Sequence, residues 1–357
     1  MAKAVSVTVK QVARRARVSV ATVSRVLNGK GSALESTRQR VLKAAQALGY
    51  VPHYGARSLI TRRTETLGVL LPDLYGEFYS EVIRGIDHAA GRRGFHVLVS
   101  SSHSDRAELS AVLGAMRGRV DGLLLMSPAL DAVDLRADLP AAVPVVLLNC
   151  RAAGTAYDSV NLDNYRGAAA MVAHLHAVGH RRIALMRGPT DNFDARERLR
   201  GYRTALRRLG AYEGPGLELP GDFRESSGYE AARRLLGMAE RPTAVFAAND
   251  SMAIGLLSAL ADSGVRVPQD VAVTGFDDIP VSRFLRPPLT TVHVPIAEMG
   301  TRAVELLLLQ VQEGAVRKGR REVMEARLVV RESCGFVPGA TGEDSVERRP
   351  QRRPQKG

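Results

Sequence analysis

The chain predicts a small all-helical head, then an α/β core of two doubly wound parallel-sheet lobes, then a polar tail. Three observations carry this prediction. Residues 7–29, VTVKQVARRARVSVATVSRVLNG, read as two short amphipathic helices joined by a tight turn. From Thr66 onward, continuous apolar runs alternate with helical stretches, the sequence pattern of parallel strands covered on both faces. The alternation restarts after Asp163, so the core divides into two rounds, with a cleft expected beyond the carboxyl ends of the strands.

In the head (1–51), Thr8 is placed to cap the first helix with Gln11 as its capping-box partner, and Val9, Val12, Ala13 and Ala16 share one face. Val18 turns the chain. Ser19 caps the second helix, whose inward stripe is Val23, Val26 and Leu27 and whose stop is Gly29. A third helix runs from about Glu35 to Leu48, with Val41, Leu42, Ala45 and Leu48 inward and Gly49 as its cap. In the linker (52–65), Pro52 ends the previous element, and Gly55 costs His53–Ile60 roughly 1 kcal/mol of helix propensity. So short a segment becomes helical only when something packs against it.

The core (66–337) opens with the strands LGVLLP, FHVLVSS, DGLLLMS and PVVLLNC around helices near Tyr79–Gly91 and Arg106–Met116. Helices near Tyr165–Val178, Ala195–Leu209, Tyr229–Met238 and Ser251–Asp262 then separate RRIALMRG, LELP, TAVFAAN and DVAVTGF. The first lobe is expected at about 66–163 with 293–323, and the second at about 164–292 with 324–337. Residues 338–357, polar and rich in Pro and Arg, read as a disordered tail.

Charge separates head from core. Residues 1–63 hold thirteen Lys or Arg and one acid, Glu35, which leaves 37 basic against 36 acidic residues elsewhere. So segregated an excess on one small unit is the footprint of a polyanion site. The outward face of the second helix carries Ala21, Thr22, Arg25 and Asn28, groups small and polar enough to enter a major groove, where Arg pairs with guanine. No apolar run approaches the roughly 20 residues of a membrane helix. The N-terminus lacks the order of a secretory signal, and the two cysteines, Cys150 and Cys334, form no metal spacing or disulfide framework; a reducing cytoplasm is the expected location.

At this point the sequence resembles the lactose-repressor/galactose-repressor (LacI/GalR) family of bacterial regulators over residues 7–337. The motifs are VSVATVSRVLNG, TRQRVLKAAQALGYVP and ARSL, then VDGLLL, GHRRIALMRGP with RLRGYRTAL, RPTAVFAANDSMAIG, VPQDVAVTGFDD and PPLTTV. The resemblance implies a homodimeric helix-turn-helix repressor with a periplasmic-binding-protein-like core. It implies that Val20, Ala21 and Arg25 read base edges and that Ser19, Thr22, Asn28 and Thr37 hold phosphates of operator DNA. It places Ala56 and Leu59 in the minor groove, where a leucine wedge unstacks a base step. In the cleft it gives Phe78, Asn149, Arg196, Phe223, Asn249 and Asp277 as effector contacts. That set suits a sugar or polyol, because Arg and Asp each hold neighbouring hydroxyls and an aromatic packs on a ring face. Leu34, Gly55, Met126 and Val294 depart from the family pattern, which leaves the ligand open: a sugar-like inducer, with a purine-like co-repressor as the alternative.

Two other classes fit parts of the chain. A solute-binding protein would share the lobes but not the basic head. An enzyme on a doubly wound fold would need a motif such as GxGxxG after the first strand, a P-loop or GxSxG, none of which is present, and the eight histidines do not cluster. The expectation is a regulator of carbohydrate uptake or catabolism genes, with no catalytic group, cofactor or metal.

Overall fold

The computed structural model describes residues 7–27, 33–50, 63–103, 105–130, 132–135, 138–139, 143–152, 154–313 and 319–335. They fall into two compact units that divide between Glu65 and Thr66. The proposed contacts Asn28, Ala56 and Leu59, the linker helix and the tail lie outside the described residues.

The head has three helices, α1 (Val9–Ala16), α2 (Val20–Leu27) and α3 (Glu35–Leu48). The Thr8 backbone N–H donates to Gln11 Oε1 at 2.7 Å, and the Thr22 N–H donates to Ser19 Oγ at 3.1 Å, so both short helices start on capping residues. Arg17, with φ of 55°, ends α1 in the left-handed region, and the Val18 N–H reaches back to Ala13 O at 3.1 Å. Val12, Ala13, Ala16, Val23, Val41, Ala44 and Ala45 form the core. Leu42, expected inward, is exposed; Ala44, three residues after Val41, holds the core place instead.

In the larger unit, the first lobe contains β1 (Thr66–Leu71), α4 (Glu77–Gly91), β2 (His96–Ser101), α5 (Arg106–Met116), β3 (Gly122–Met126), α6 (Ala132–Leu135), β4 (Val145–Leu148) and β5 (Asp158–Leu162). The second contains α7 (Asn164–Val178), β6 (Ile183–Met186), α8 (Phe193–Arg208), β7 (Glu218–Leu219), α9 (Glu225–Leu236), β8 (Ala244–Ala247), α10 (Asp250–Asp262), β9 (Ala272–Thr274) and β10 (Thr291–His293). The chain then returns through α11 (Ile296–Glu313) and β11 (Arg321–Met324) to the first lobe, and ends with β12 (Arg327–Val329) in the second.

The six-stranded sheet has the order β11-β5-β4-β3-β1-β2 and the four-stranded sheet β7-β6-β8-β9, with every pair parallel. β10 and β12 pair antiparallel beside the second sheet. The chain therefore passes between the lobes three times: after β5, after β10 and after β11. Strand order reverses at β1 in one sheet and at β6 in the other, and a crevice opens at the carboxyl ends of such strands. Both crevices face one cleft.

Across the back of the first lobe, α4 and α11 meet at backbone distance. A Cβ on Gly85 would stand 2.0 Å from the Ala297 carbonyl oxygen, so only glycine lets these helices approach so closely.

Candidate functional site

The cleft is walled by loops that follow strands. From the first lobe come Tyr75, Phe78 and Tyr79 after β1, and Met126 and Pro128 at the end of β3. From the second come Asn192, Asp194 and Arg198 after β6, Phe223 after β7, Asn249 after β8, and Asp277 and Ile279 after β9. Phe78 meets Tyr79 edge to face, with centroids 5.5 Å apart. Gly188 leaves room for Phe223, whose ring would lie 2.4 Å from a Cβ at that position.

At its centre is one guanidinium among carboxylates. Arg198 is 3% exposed; its Nε donates to Asn164 Oδ1 at 2.8 Å and its Nη1 donates to the Ala248 carbonyl. Nη2 stands 3.0 Å from Asp277 Oδ1, an ion pair without the alignment of a hydrogen bond. The Asn164 amide donates in turn to Asp194 Oδ1 at 2.8 Å. The Arg198 guanidinium lies over the Phe276 ring at 3.9 Å and near that of Phe223 at 5.6 Å. Burial pushes Asp194 up to about 7 and Asp277 up to about 6, and in both cases Arg198 opposes the shift.

The backbone at Asp277 is unusual. Asp277 and Asp278 have φ of 110° and 55°, a region that costs of order 1–3 kcal/mol per residue and needs support from around it. Asp250 supplies that support: Oδ2 accepts from the Ile279 N–H at 3.0 Å and from Ser282 Oγ at 2.6 Å, and Oδ1 accepts from Thr291 Oγ1 at 2.6 Å. Asp250 is itself pushed up to about 7, chiefly by burial and then by Asp277. The Arg331 guanidinium donates to Asp278 Oδ1 at 2.6 Å, which ties the turn to the chain after β12. The lobes also touch directly: the Phe193 N–H donates to the Pro128 carbonyl at 2.7 Å, and Arg224 Nη2 donates to Asp73 Oδ2 at 3.0 Å.

In the head, Ser19, Val20, Ala21 and Arg25 are exposed, and Thr22 and Thr37 are half-buried. Ser19 Oγ and Thr22 Oγ1 lie 2.9 Å apart, and Arg40 Nη2 donates to Thr37 Oγ1 at 3.4 Å. Among the described residues no group of His, Cys, Asp and Glu is arranged to hold a metal ion, and no helix is long and apolar enough to cross a membrane.

Comparison with known proteins decides the family. Residues 8–53 match the model of bacterial regulatory proteins of the lacI family, and residues 172–334 match a periplasmic binding protein-like domain. The HTH-type transcriptional repressor CytR of Escherichia coli K12 is 37% identical over 93% of this chain and 97% of its own. The chain belongs to the LacI family. Among solved structures of this family, a Lac repressor dimer bound to operator and the anti-inducer ONPF is 32% identical with a TM-score of 0.82 over 92% of this chain and 99% of its own. A CelR–cellobiose complex is 36% identical, with a TM-score of 0.69 over 92% and 99% of the two chains. CytR is a transcriptional repressor and CelR a transcriptional regulator.

On this LacI-family core, Phe78, Phe223, Asn249 and Asp277 of the sequence-derived set line the cleft. Asn249 is also committed to its own helix: Oδ1 accepts from the Met252 N–H at 3.0 Å, and Nδ2 donates to the Phe223 carbonyl at 2.9 Å. Arg196 has to be corrected. It is exposed on the outer side of α8, where Nη1 donates to the Asp191 carbonyl at 2.7 Å, and Arg198 occupies the cleft. Two residues along a helix turn a side chain about 200°, so one of the pair must face out. Asn149 is also displaced from the chamber walls. It is fully buried at the end of β4 with φ of 43°, and neither end of its amide meets a hydrogen-bond partner among the described residues.

Sequence reasoning missed Asn164, Asp194, Arg198 and Asp250. A signal existed for two of them: Ala195, Tyr202, Ala205 and Leu206 define the buried stripe of α8, and Asp194 and Arg198 fall on it.

Proposed function

We propose that the protein is a ligand-responsive repressor that binds a palindromic operator as a homodimer in the cytoplasm and releases it when a sugar-like inducer enters the cleft. The buried Arg198–Asp277 pair, set in a chamber lined by Phe78, Tyr79 and Phe223, is the observation that carries this reading. Arg and Asp can each engage neighbouring hydroxyls, and aromatic faces pack on the less polar side of a sugar ring. The operator in the Lac repressor complex and the cellobiose in the CelR complex support the same two ligand classes. In this reading Val20, Ala21 and Arg25 meet base edges, while Ser19, Thr22, Asn28 and Thr37 hold phosphates. Ala56 and Leu59 enter the minor groove. Asp194 and Arg198 join Phe78, Phe223, Asn249 and Asp277 around the effector.

An inducer works only if it prefers the lobe arrangement that weakens DNA binding. The test is operator binding by the full-length protein, using a duplex selected from a random pool, across titrations of mono- and disaccharides, polyols and purines. A sugar that raises the melting temperature and releases the duplex is the expected result. A purine that tightens operator binding would establish co-repression instead.

A further inference from the structure

Each of the three passages between the lobes is bonded to the charges or the turn that wall the cleft. Asn164 begins α7 just after the first passage, and its side chain accepts from Arg198 and donates to Asp194. β10 leads into the second passage. There the Asp277 N–H donates to the Val292 carbonyl at 2.9 Å, and His293 Nδ1 lies 3.1 Å from Asp278 Oδ2. Arg331 follows the third passage. Its Nη2 donates to Asp278 Oδ1 at 2.6 Å, and its Nη1 donates to the Leu289 carbonyl at 2.7 Å.

Asp278 thus holds one returning segment with each carboxylate oxygen. Its side chain is 10% exposed and that of Arg331 is 16% exposed, so this charge-assisted bond is made largely out of water, where it keeps most of its strength. Asp277, not Asp278, lines the cavity. The turn between cavity and clamp is a stiff block. Both residues have φ in the left-handed region, and Asp250 fixes the next residue by accepting from the Ile279 N–H while its other oxygen accepts from Thr291 of β10. Such a block moves whole, because packed interiors switch between discrete arrangements and do not bend continuously.

We infer that Asp278 is the positioning residue that carries a change in the cleft to the lobe angle. It grips the segments of the second and third passages, and a shift of Asp277 moves both through it. The inference rests on the reading of the cleft as the effector site and assigns the residue that couples that site to the hinge. Asp278 acts through His293 and Arg331. Coupling between two binding events is reciprocal, so operator DNA at the head reports on the cleft whatever the effector is.

The test is hydrogen exchange on the full-length protein, free and bound to a duplex selected from a random pool. Asp278→Asn keeps the size of the side chain and its tolerance of the left-handed region, and removes the charge. In the free variant, exchange of residues 291–297 and 324–331 quickens at least about tenfold, while residues 160–166, held by Asn164, and β8 keep their rates. His293→Gln quickens the first of these segments alone, and Arg331→Gln the second alone. A uniform rise over all four segments shows that Asp278 only adds stability, and no rise shows that it grips neither strand; either result overturns the inference. On adding the duplex, exchange of residues 275–280 changes in the unaltered protein and not in Asp278→Asn, whose operator affinity stays within about threefold. An equal change in both proteins overturns the inference alone. No change in the unaltered protein removes the ligand-responsive reading, and the inference with it.

Discussion

Arg198 is the cation between Asp194 and Asp277, both almost fully buried, so its loss leaves charge in the interior without a counter-ion. Breaking a buried pair by removing one partner costs about 3–5 kcal/mol, whereas an exposed side chain such as Arg196 is usually worth within about 0.5 kcal/mol. Urea denaturation of Arg198→Met and Arg196→Ala therefore separates the two positions, and equal losses would show that Arg198 does not carry the network. The raised carboxyls at Asp194, Asp277 and Asp250 also fix the sign of a pH effect. Each binds its proton more tightly folded than unfolded, so its contribution is full below about pH 4 and is lost as pH rises through about 6 to 7. The melting temperature should fall between about pH 5.5 and about pH 7.5, and Asp194→Asn should flatten that slope. For function, a charge-assisted hydrogen bond is worth about 1.5–3 kcal/mol, so Asp277→Asn should weaken the inducer roughly ten- to a hundredfold while operator affinity survives. Arg25→Ala should lose about 1–3 kcal/mol of operator affinity and relax preference at one base pair per half-site. An unchanged ratio of specific to scrambled binding would take Arg25 out of the recognition set.

Elements differ in how much of them the sequence shows. The head's caps and stripes are local, so Thr8, Ser19 and Gly49 end their helices where the spacing says. Continuous apolar strands such as LGVLLP and TAVFAA are equally legible, because parallel sheets bury both faces. Two elements leave a weaker trace. The strand β5, DSVNL, buries Asp158, which accepts from Gln310 Nε2 at 2.9 Å and from the Arg320 N–H at 2.7 Å; its partners lie far along the chain, and local pattern cannot supply them. The helix α11, 18 residues long, contains a run of four leucines that blurs the 3.6-residue period. In the cleft, Phe78, Phe223, Asn249 and Asp277 follow strands in short loops and line the chamber, Asn149 follows a strand and does not, and the choice between Arg196 and Arg198 depends on the phase of a helix. The contact between α4 and α11 gives a test of element packing. Gly85→Ala forces a methyl into the Ala297 carbonyl and should cost about 1–3 kcal/mol or more by chemical denaturation. A neutral result would mean that the two helices can part without loss.

For the whole molecule, two heads in a homodimer reading one half-site each would need a pseudo-palindrome of roughly 14 to 20 base pairs, since operator symmetry mirrors protein symmetry. Fluorescence anisotropy with whole and half operators measures this, and equal affinity for the two would argue against paired heads. The three passages between the lobes have a consequence of a different kind, in the order of synthesis. Strands β1 to β5 leave the ribosome early, but their sheet is completed by β11 and covered over β3, β4 and β5 by α11, which are made after nearly all of the second lobe. At about 5–20 residues per second, the nascent first lobe waits roughly ten to thirty seconds with an apolar sheet face uncovered. Nascent chains stalled before residue 296 should therefore hold chaperones on the first lobe and release them once α11 has emerged. The lobe translated first is closed only by a helix and a strand translated after nearly all of the lobe that follows it.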